Sequence, residues 1–201
     1  MAIKGLSIPT FGKYVNTSGT ISYTDGVVCG HAISYNFDPS IADDNPLYGD
    51  NMIVENDSGF FQNGTLTLNT SELPDEVAKM LLGLTETEVS VGTGQTATTV
   101  KQYAYDTDAA AIDVGIGFIE EHQVNDVTYY KARVLPRCKK NFDSMTATTR
   151  GETIDWQTPE ITFAVSRAED AKKTWLVETE LLETEAEAQA FLNQYLGVAA
   201  G

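Results

Sequence analysis

The chain has 201 residues, 42% of them hydrophobic, and a formal charge of −16 from 29 acidic against 13 basic side chains. That length can bury a full core, and all-β chains of this size commonly fold as one domain, expected here over residues 1–201. The acidic balance argues against nucleic-acid binding by counterion release, which needs a basic footprint.

No apolar run approaches a membrane span, and the start lacks a basic segment followed by an apolar one. A soluble chain that is not exported by a classical signal, and that does not insert into a membrane, is expected. Cys29 and Cys138 match no metal spacing and read as free, mostly buried thiols.

Taken in order, residues 1–24 hold an arm or first strand: Ile3–Thr10 suits a sheet edge or an ordered arm. Strand character follows at Thr20–Thr24, and Asp25-Gly26 reads as a hairpin turn into a strand over Val27–Phe37, with Ile33, Tyr35 and Phe37 on one face. Residues 38–58 carry Pro39, Pro46, Gly49 and several Asp and Asn, the mark of a loop of roughly twenty residues. A loop that long is usually functional or an extended hairpin tip. Phe60–Asn69 returns to strand, with Leu66 and Leu68 alternating against threonines. Pro74, Asp75 and Glu76 open a short helix whose Val77, Met80, Leu81 and Leu84 fall at helical spacing, with Gly83 as its stop.

Thr85–Val100 reads as a strand or ribbon broken by Gly92-Thr-Gly94, a turn without the strand–loop–helix setting of a phosphate site. Ile112, Val114, Ile116 and Phe118 alternate as a strand, and Asn125-Asp126 turns it back through Val127–Pro136. There Tyr130, Ala132 and Val134 face one way and Lys131 and Arg133 the other. Arg137, Lys139 and Lys140 are expected to extend that basic side. Residues 142–149 connect to Gly151–Val165, where Ile154 and Trp156 alternate in one phase and Ile161, Phe163 and Val165 in the other. A one-residue change of phase moves side chains to the opposite face, so Thr158-Pro159 should mark a bulge, kink or change of sheet. Lys173–Leu182 gives a last strand. A Thr184/Glu187 capping box opens a helix over 184–196 with Ala188, Phe191, Leu192 and Tyr195 on one stripe, ending at Gly197.

Charge is segregated. Asp38–Asp57 holds six acidic residues and no Lys or Arg, Gln102–Tyr130 another six with none, and six of the thirteen basic residues lie between Lys131 and Arg150. Such segregation suits complementary faces of repeating subunits.

Chemistry-bearing constellations are thin. His31 and His122 read as ordinary structural or exposed histidines. Asp43, Asp44 and Asp50 read as a solvated acidic loop ahead of a calcium site, because their spacing is not that of an EF-hand. Glu120 and Glu121 fall on opposite sides of a strand. Asn16, Asn56, Asn63 and Asn69 begin glycosylation sequons that a Thr-rich composition produces by coincidence. No catalytic residue, metal or cofactor is expected, and the chain does not read as an enzyme.

Three ordered blocks carry a resemblance. The first is Leu47-Tyr-Gly-Asp-Asn, then Gly64-Thr-Leu-Thr-Leu-Asn and the Leu73-Pro-Asp-Glu-Val helix to Leu82-Gly83. The second is Val114-Gly-Ile-Gly-Phe-Ile, then Val127-Thr-Tyr-Tyr-Lys-Ala-Arg-Val-Leu. The third runs from Arg150-Gly-Glu-Thr-Ile-Asp-Trp to Gln-Thr-Pro-Glu-Ile-Thr-Phe163. Together they resemble the major tail proteins that build the tail tube of long-tailed, non-contractile bacteriophages, over most of residues 25–178.

The resemblance implies a mainly β fold, a β-sandwich or partly open barrel with a short flanking helix and a C-terminal helix. It implies stacked hexameric rings forming a hollow tube, located in the virion tail after assembly in the bacterial cytoplasm. The implied partners are other copies of the chain, the tape measure, tail tip and tail terminator proteins, and DNA passing through the lumen. The 38–58 loop would contact the next ring through Asp43, Asp44, Tyr48, Met52, Ile53 and Val54. Lys131, Arg133, Arg137, Lys139 and Lys140 would lie at subunit contacts or the outer wall. No roles carry over to residues 1–24 or 184–196. Two other readings stand beside it: a tube protein of a contractile injection or type VI-like secretion system, and a monomeric carbohydrate-binding module using Tyr103, Tyr105, Tyr129 and Tyr130.

Overall fold

The computed structural model describes residues 2–92, 97–107, 110–141, 149 and 156–199. Strands β1 (Ala2–Thr17) and β2 (Thr20–Val28) form a hairpin around Ser18-Gly19, whose φ angles of 53° and 87° suit a two-residue turn. The turn expected at Asp25-Gly26 is not a turn. Pairing jumps from Phe11–Val27 to Lys13–Thr24, so Asp25 and Gly26 oppose one residue and make a β-bulge inside β2. The first segment is no peripheral arm either. β1 carries ladders on both sides, to β2 and to β9 (Asp113–Val124).

The strand expected over Val27–Phe37 is broken at Cys29-Gly30-His31, and β3 (Ala32–Ile41) pairs instead with β6 (Phe61–Thr70). β9 turns through Asn125-Asp126, both at positive φ, into β10 (Val127–Lys140). The end of β10 pairs with β11 (Glu160–Ser166), which pairs with β6. The two-residue strand β12 (Val177–Glu178) pairs with β10 at Arg133 and Val134. The result is one large antiparallel sheet, ordered β2-β1-β9-β10-β11-β6-β3, with β12 off that path. β2 and β3 are its edges, yet only three residues join them, and Cys29 N–H donates to Pro9 C=O at 2.8 Å. The sheet therefore curls until its edges meet at that end, and no ladder closes it into a barrel among the described residues.

The concave side holds the main core. Phe11, Leu66, Leu68, Val114, Ile116, Leu135, Phe163 and Val165 are buried there together with Val77 and Leu81 of α1 (Asp75–Leu82). Trp175 stacks on Phe61 at 4.5 Å between ring centroids. α1 follows Pro74 and ends at Gly83 in the left-handed conformation, as its sequence suggests. On the convex side, α2 (Glu185–Leu196) starts with the expected Thr184/Glu187 capping box and ends at Gly197. Its Ala188, Leu192 and Leu196 pack on Ile119, Ala132 and Val134.

That seat is cut into the sheet by glycine. A Cβ on Gly117 would stand 2.6 Å from Leu192 Cδ2, and one on Gly26 only 2.5 Å from Leu196 O and Val198 N. The bulge at Asp25-Gly26 is thus where the end of α2 docks, and Gly26 N–H donates to Gly197 C=O at 3.1 Å.

The Gly151–Val165 expectation divides. Ile161, Phe163 and Val165 are buried on β11, with their phase as read. Trp156, expected in a half-buried strand, lies outside any strand and is 83% exposed. Ile154 and the connection over 142–148 fall outside the described residues. The strand expected over Lys173–Leu182 shrinks to β12 and a bridge between Tyr130 and Leu182.

Candidate functional site

The 38–58 region is built as an extended hairpin, one of the two forms expected of it. β3 continues to Ile41, and β4 (Asn45–Gly49) and β5 (Met52–Asp57) then form a separate ribbon around Asp50-Asn51, at φ 50° and 65°. Its base is clamped. Ala42 N–H donates to Phe60 C=O, Gly59 N–H to Asp44 Oδ1 at 2.9 Å, and Asn56 Nδ2 to Asp44 Oδ2 at 3.3 Å. The Gly59 amide, then Asn56, hold the Asp44 carboxyl below the ordinary aspartate range. Asp44 is therefore a structural clamp, Asp43 sits exposed beside it, and β4 separates both from Asp50.

Beyond the clamp the ribbon pairs only with itself. Leu47, Tyr48, Met52, Ile53 and Val54 are each 59–67% exposed. Pairing jumps from Leu47–Glu55 to Tyr48–Ile53, leaving Val54 bulged, and Val54 Cγ2 lies 2.7 Å from where a Gly49 Cβ would be. Hence Leu47, Met52, Val54 and Glu55 share one face, and Pro46, Tyr48, Ile53 and Asn56 the other. Both faces are apolar in part, and only the first carries a charge. Two-stranded ribbons are marginally stable alone, and exposed apolar patches mark contact sites.

A second ribbon, β7 (Thr85–Val91) with β8 (Thr98–Ala104), also stands apart from the main sheet. One face carries Glu86, Glu88, Lys101 and Tyr103. Glu86 there is ion-paired with Lys79 of α1 and with Lys101, at 2.9 Å for the latter. Tyr103 packs against the main core. The other face is Thr87, Val89, Val91, Thr98, Val100 and Gln102, all exposed and none charged. Residues 93–96, including most of the Gly92-Thr-Gly94 turn, fall outside the described residues.

The expected basic face does not form. Between Leu135–Ile116 and Cys138–Val114 the pairing gains a residue, so Pro136-Arg137 is a bulge. Proline suits such a site because it has no N–H for the ladder. The bulge reverses the phase. Lys131, Arg133 and Lys140 lie on the concave side, Arg137 and Lys139 on the convex side. Several of these charges are also satisfied internally. Lys131 reaches Glu178 at 3.2 Å, Arg133 reaches Glu120 and Glu178, and Arg137 reaches Asp113 at 2.8 Å and Glu169 at 2.7 Å. Lys140 is buried and donates to Asn141 C=O; Lys139 is exposed.

One constellation escaped the sequence reading. Glu120 is wholly buried and accepts from the Tyr35 hydroxyl, while His122 Nε2 is 2.9 Å and Arg133 Nε 3.0 Å from its Oε2. The Arg133 contact is an ion pair without hydrogen-bond alignment. Burial first, and then Glu120, push the Tyr35 hydroxyl up to about 12, so it stays a donor. The signal was present: Glu120 and His122 continue the phase of Val114, Ile116 and Phe118 onto the concave side. The cluster ties edge strand β3 to central β9 and β10. Together with the tilted ring contact of Tyr35 on Phe118, centroids 4.2 Å apart, that makes it a fastening.

Other candidates do not converge. Tyr103 is in the core rim, Tyr129 and Tyr130 lie on opposite faces of β10, and Tyr105 is exposed alone, so these tyrosines form no platform. An open groove of about 810 Å³ beside α1 carries Lys13, Lys79 and Lys101 against Asp25, Glu76 and Glu86, three of each sign. Cys29 and Cys138 are free and buried. Among the described residues no three His, Cys, Asp or Glu are placed to hold a metal, and no helix is long and apolar enough to cross a membrane. Compared with protein-family models and with curated protein sequences, the chain matches none.

Proposed function

We infer that the chain is a structural subunit of the tail tube of a long-tailed, non-contractile bacteriophage, polymerising as stacked hexameric rings that conduct DNA. The observation that carries this reading is the β4–β5 ribbon: five large apolar side chains, presented on two faces and held out by a hydrogen-bonded base. A lone globular protein gains nothing from such a feature, whereas a subunit that must seat in its neighbours does. The three sequence blocks and the mainly β fold supply the rest of the support.

In this reading the ribbon contacts the next ring. A heterologous contact of that kind extends a tube without limit, and the free edges of β2 and β3 are covered by neighbours. The acidic surface repels phosphates, so DNA slides through without being held. Of the five basic residues expected at contacts, Lys131, Arg133 and Arg137 serve the subunit's own carboxylates and Lys140 is buried, which leaves Lys139.

Light scattering of the purified protein against concentration and salt tests the reading. Subunits of charge −16 repel one another, and at about 1 M salt the Debye length falls to about 3 Å. Scattering mass should therefore rise steeply with both variables. A mass that stays at one chain throughout would overturn it.

A further inference from the structure

The two ribbons can be matched to one another by charge. Any contact between copies of a −16 chain must avoid burying like charges, because unpaired buried carboxylates are strongly unfavourable. The outward face of β7–β8 meets that condition: Thr87, Val89, Val91, Thr98, Val100 and Gln102 carry no charge. Its opposite face is already fastened to α1 through Glu86 and Lys79. On β4–β5, only the Tyr48/Ile53 face lacks charge within its ladder; the Leu47/Met52 face has Glu55 on it.

We propose that the β7–β8 face is the acceptor for the Tyr48/Ile53 face of a second copy's β4–β5 ribbon. This rests on the tube reading and names the surface that receives the ribbon. Shape agrees with charge. A β-branched, flat Val/Thr face takes an aromatic and a branched aliphatic side chain well. Two like ribbons meeting each other would close an isologous pair and end growth, whereas unlike ribbons leave a β4–β5 ribbon free at one end and a β7–β8 ribbon free at the other.

The test joins the faces covalently. Ile53→Cys and Val89→Cys are placed in one chain, and a short bismaleimide is added to the assembled protein. Native Cys29 and Cys138 are buried and do not compete. The expected result is a ladder of covalent multimers from the double variant and none from either single variant. Assembled tubes without a ladder, or a ladder from Ile53→Cys alone, overturn the inference and leave the tube reading standing.

Should the double variant fail to assemble, hydrogen exchange on the unaltered protein decides. Assembly should slow exchange about tenfold or more in both ribbons. Unchanged exchange in Thr87–Val91 and Thr98–Gln102 within assembled protein overturns the inference. An unaltered protein that never assembles removes both readings together.

Discussion

Glu120 sits at the junction of three strands with no exposed surface, and its replacement by alanine should be as damaging as truncating a buried core side chain. Three groups converge on its carboxylate: the Tyr35 hydroxyl, His122 Nε2 at 2.9 Å and Arg133 Nε at 3.0 Å. Removing one partner of a buried ion pair costs about 3–5 kcal/mol, because the charge left behind has lost its compensation. Arg133 keeps Glu178 at 2.9 Å, so the low end, about 3 kcal/mol, applies. With a urea slope of about 2 kcal/mol/M, the unfolding midpoint of Glu120→Ala should fall by about 1.5 M. Glu120→Gln, which preserves shape and an acceptor for Tyr35, should fall less. Tyr35→Phe should cost about 1.5–3 kcal/mol alone, the range for a hydrogen bond to a charged group, and much less in the Glu120→Ala background. A midpoint shift under about 0.5 M, or a Tyr35→Phe effect equal in both backgrounds, would refute the fastening of β3 to β9.

Three further outcomes follow from the same structure. Gly26→Ala pushes a methyl against the Leu196 and Val198 backbone and should lower stability by about 1–3 kcal/mol in thermal or urea unfolding; an unchanged midpoint would contradict the docking of the end of α2 at the bulge. The Asp44 carboxyl has a lower pKa folded than unfolded, so its clamp is complete above the ordinary aspartate value of about 3.9 and is lost as pH falls through the lower folded value. The Gly59 amide signal should therefore be constant from neutral pH down to about pH 4 and move only below it; a midpoint near pH 6 would contradict the clamp. Burial pushes the Cys29 thiol up to about 11 and Cys138 higher than an ordinary thiol. Neither should react with a disulfide reagent at pH 8 in the folded chain, and both should in denaturant. Prompt labelling of the native protein would show that this part of the core is open.

Both helices could be read directly, because their signals are local: Pro74 with Asp75 and Glu76, the Thr184/Glu187 box, and Gly83 and Gly197 as stops. The long alternating strands were legible for the same reason. The errors came where a single extra residue changes the phase. Asp25-Gly26 has turn chemistry, yet tertiary contact with the end of α2 keeps it within a strand as a bulge, and the real turn is Ser18-Gly19. Pro136-Arg137 likewise splits five basic residues between two faces, which spacing alone cannot show. The pairing of β1 with β9, more than a hundred residues away, left no local trace. Of the candidate surface, Met52, Ile53 and Val54 were recognised as apolar residues in a long connection. Their partition over two faces depends on the bulge at Val54. Glu120 and His122 carry the inward phase of Val114, Ile116 and Phe118, but the convergence of Tyr35 and Arg133 on Glu120 depends on β3 and β10 and leaves no local trace.

Electron microscopy of the purified protein, concentrated at about 1 M salt where charge repulsion is screened, tests the central claim most directly. Rings or stacked hollow tubes are expected, with Ile53→Glu giving neither while remaining folded. Particles the size of one chain under those conditions, or tubes from Ile53→Glu as abundant as from the unaltered chain, would contradict it.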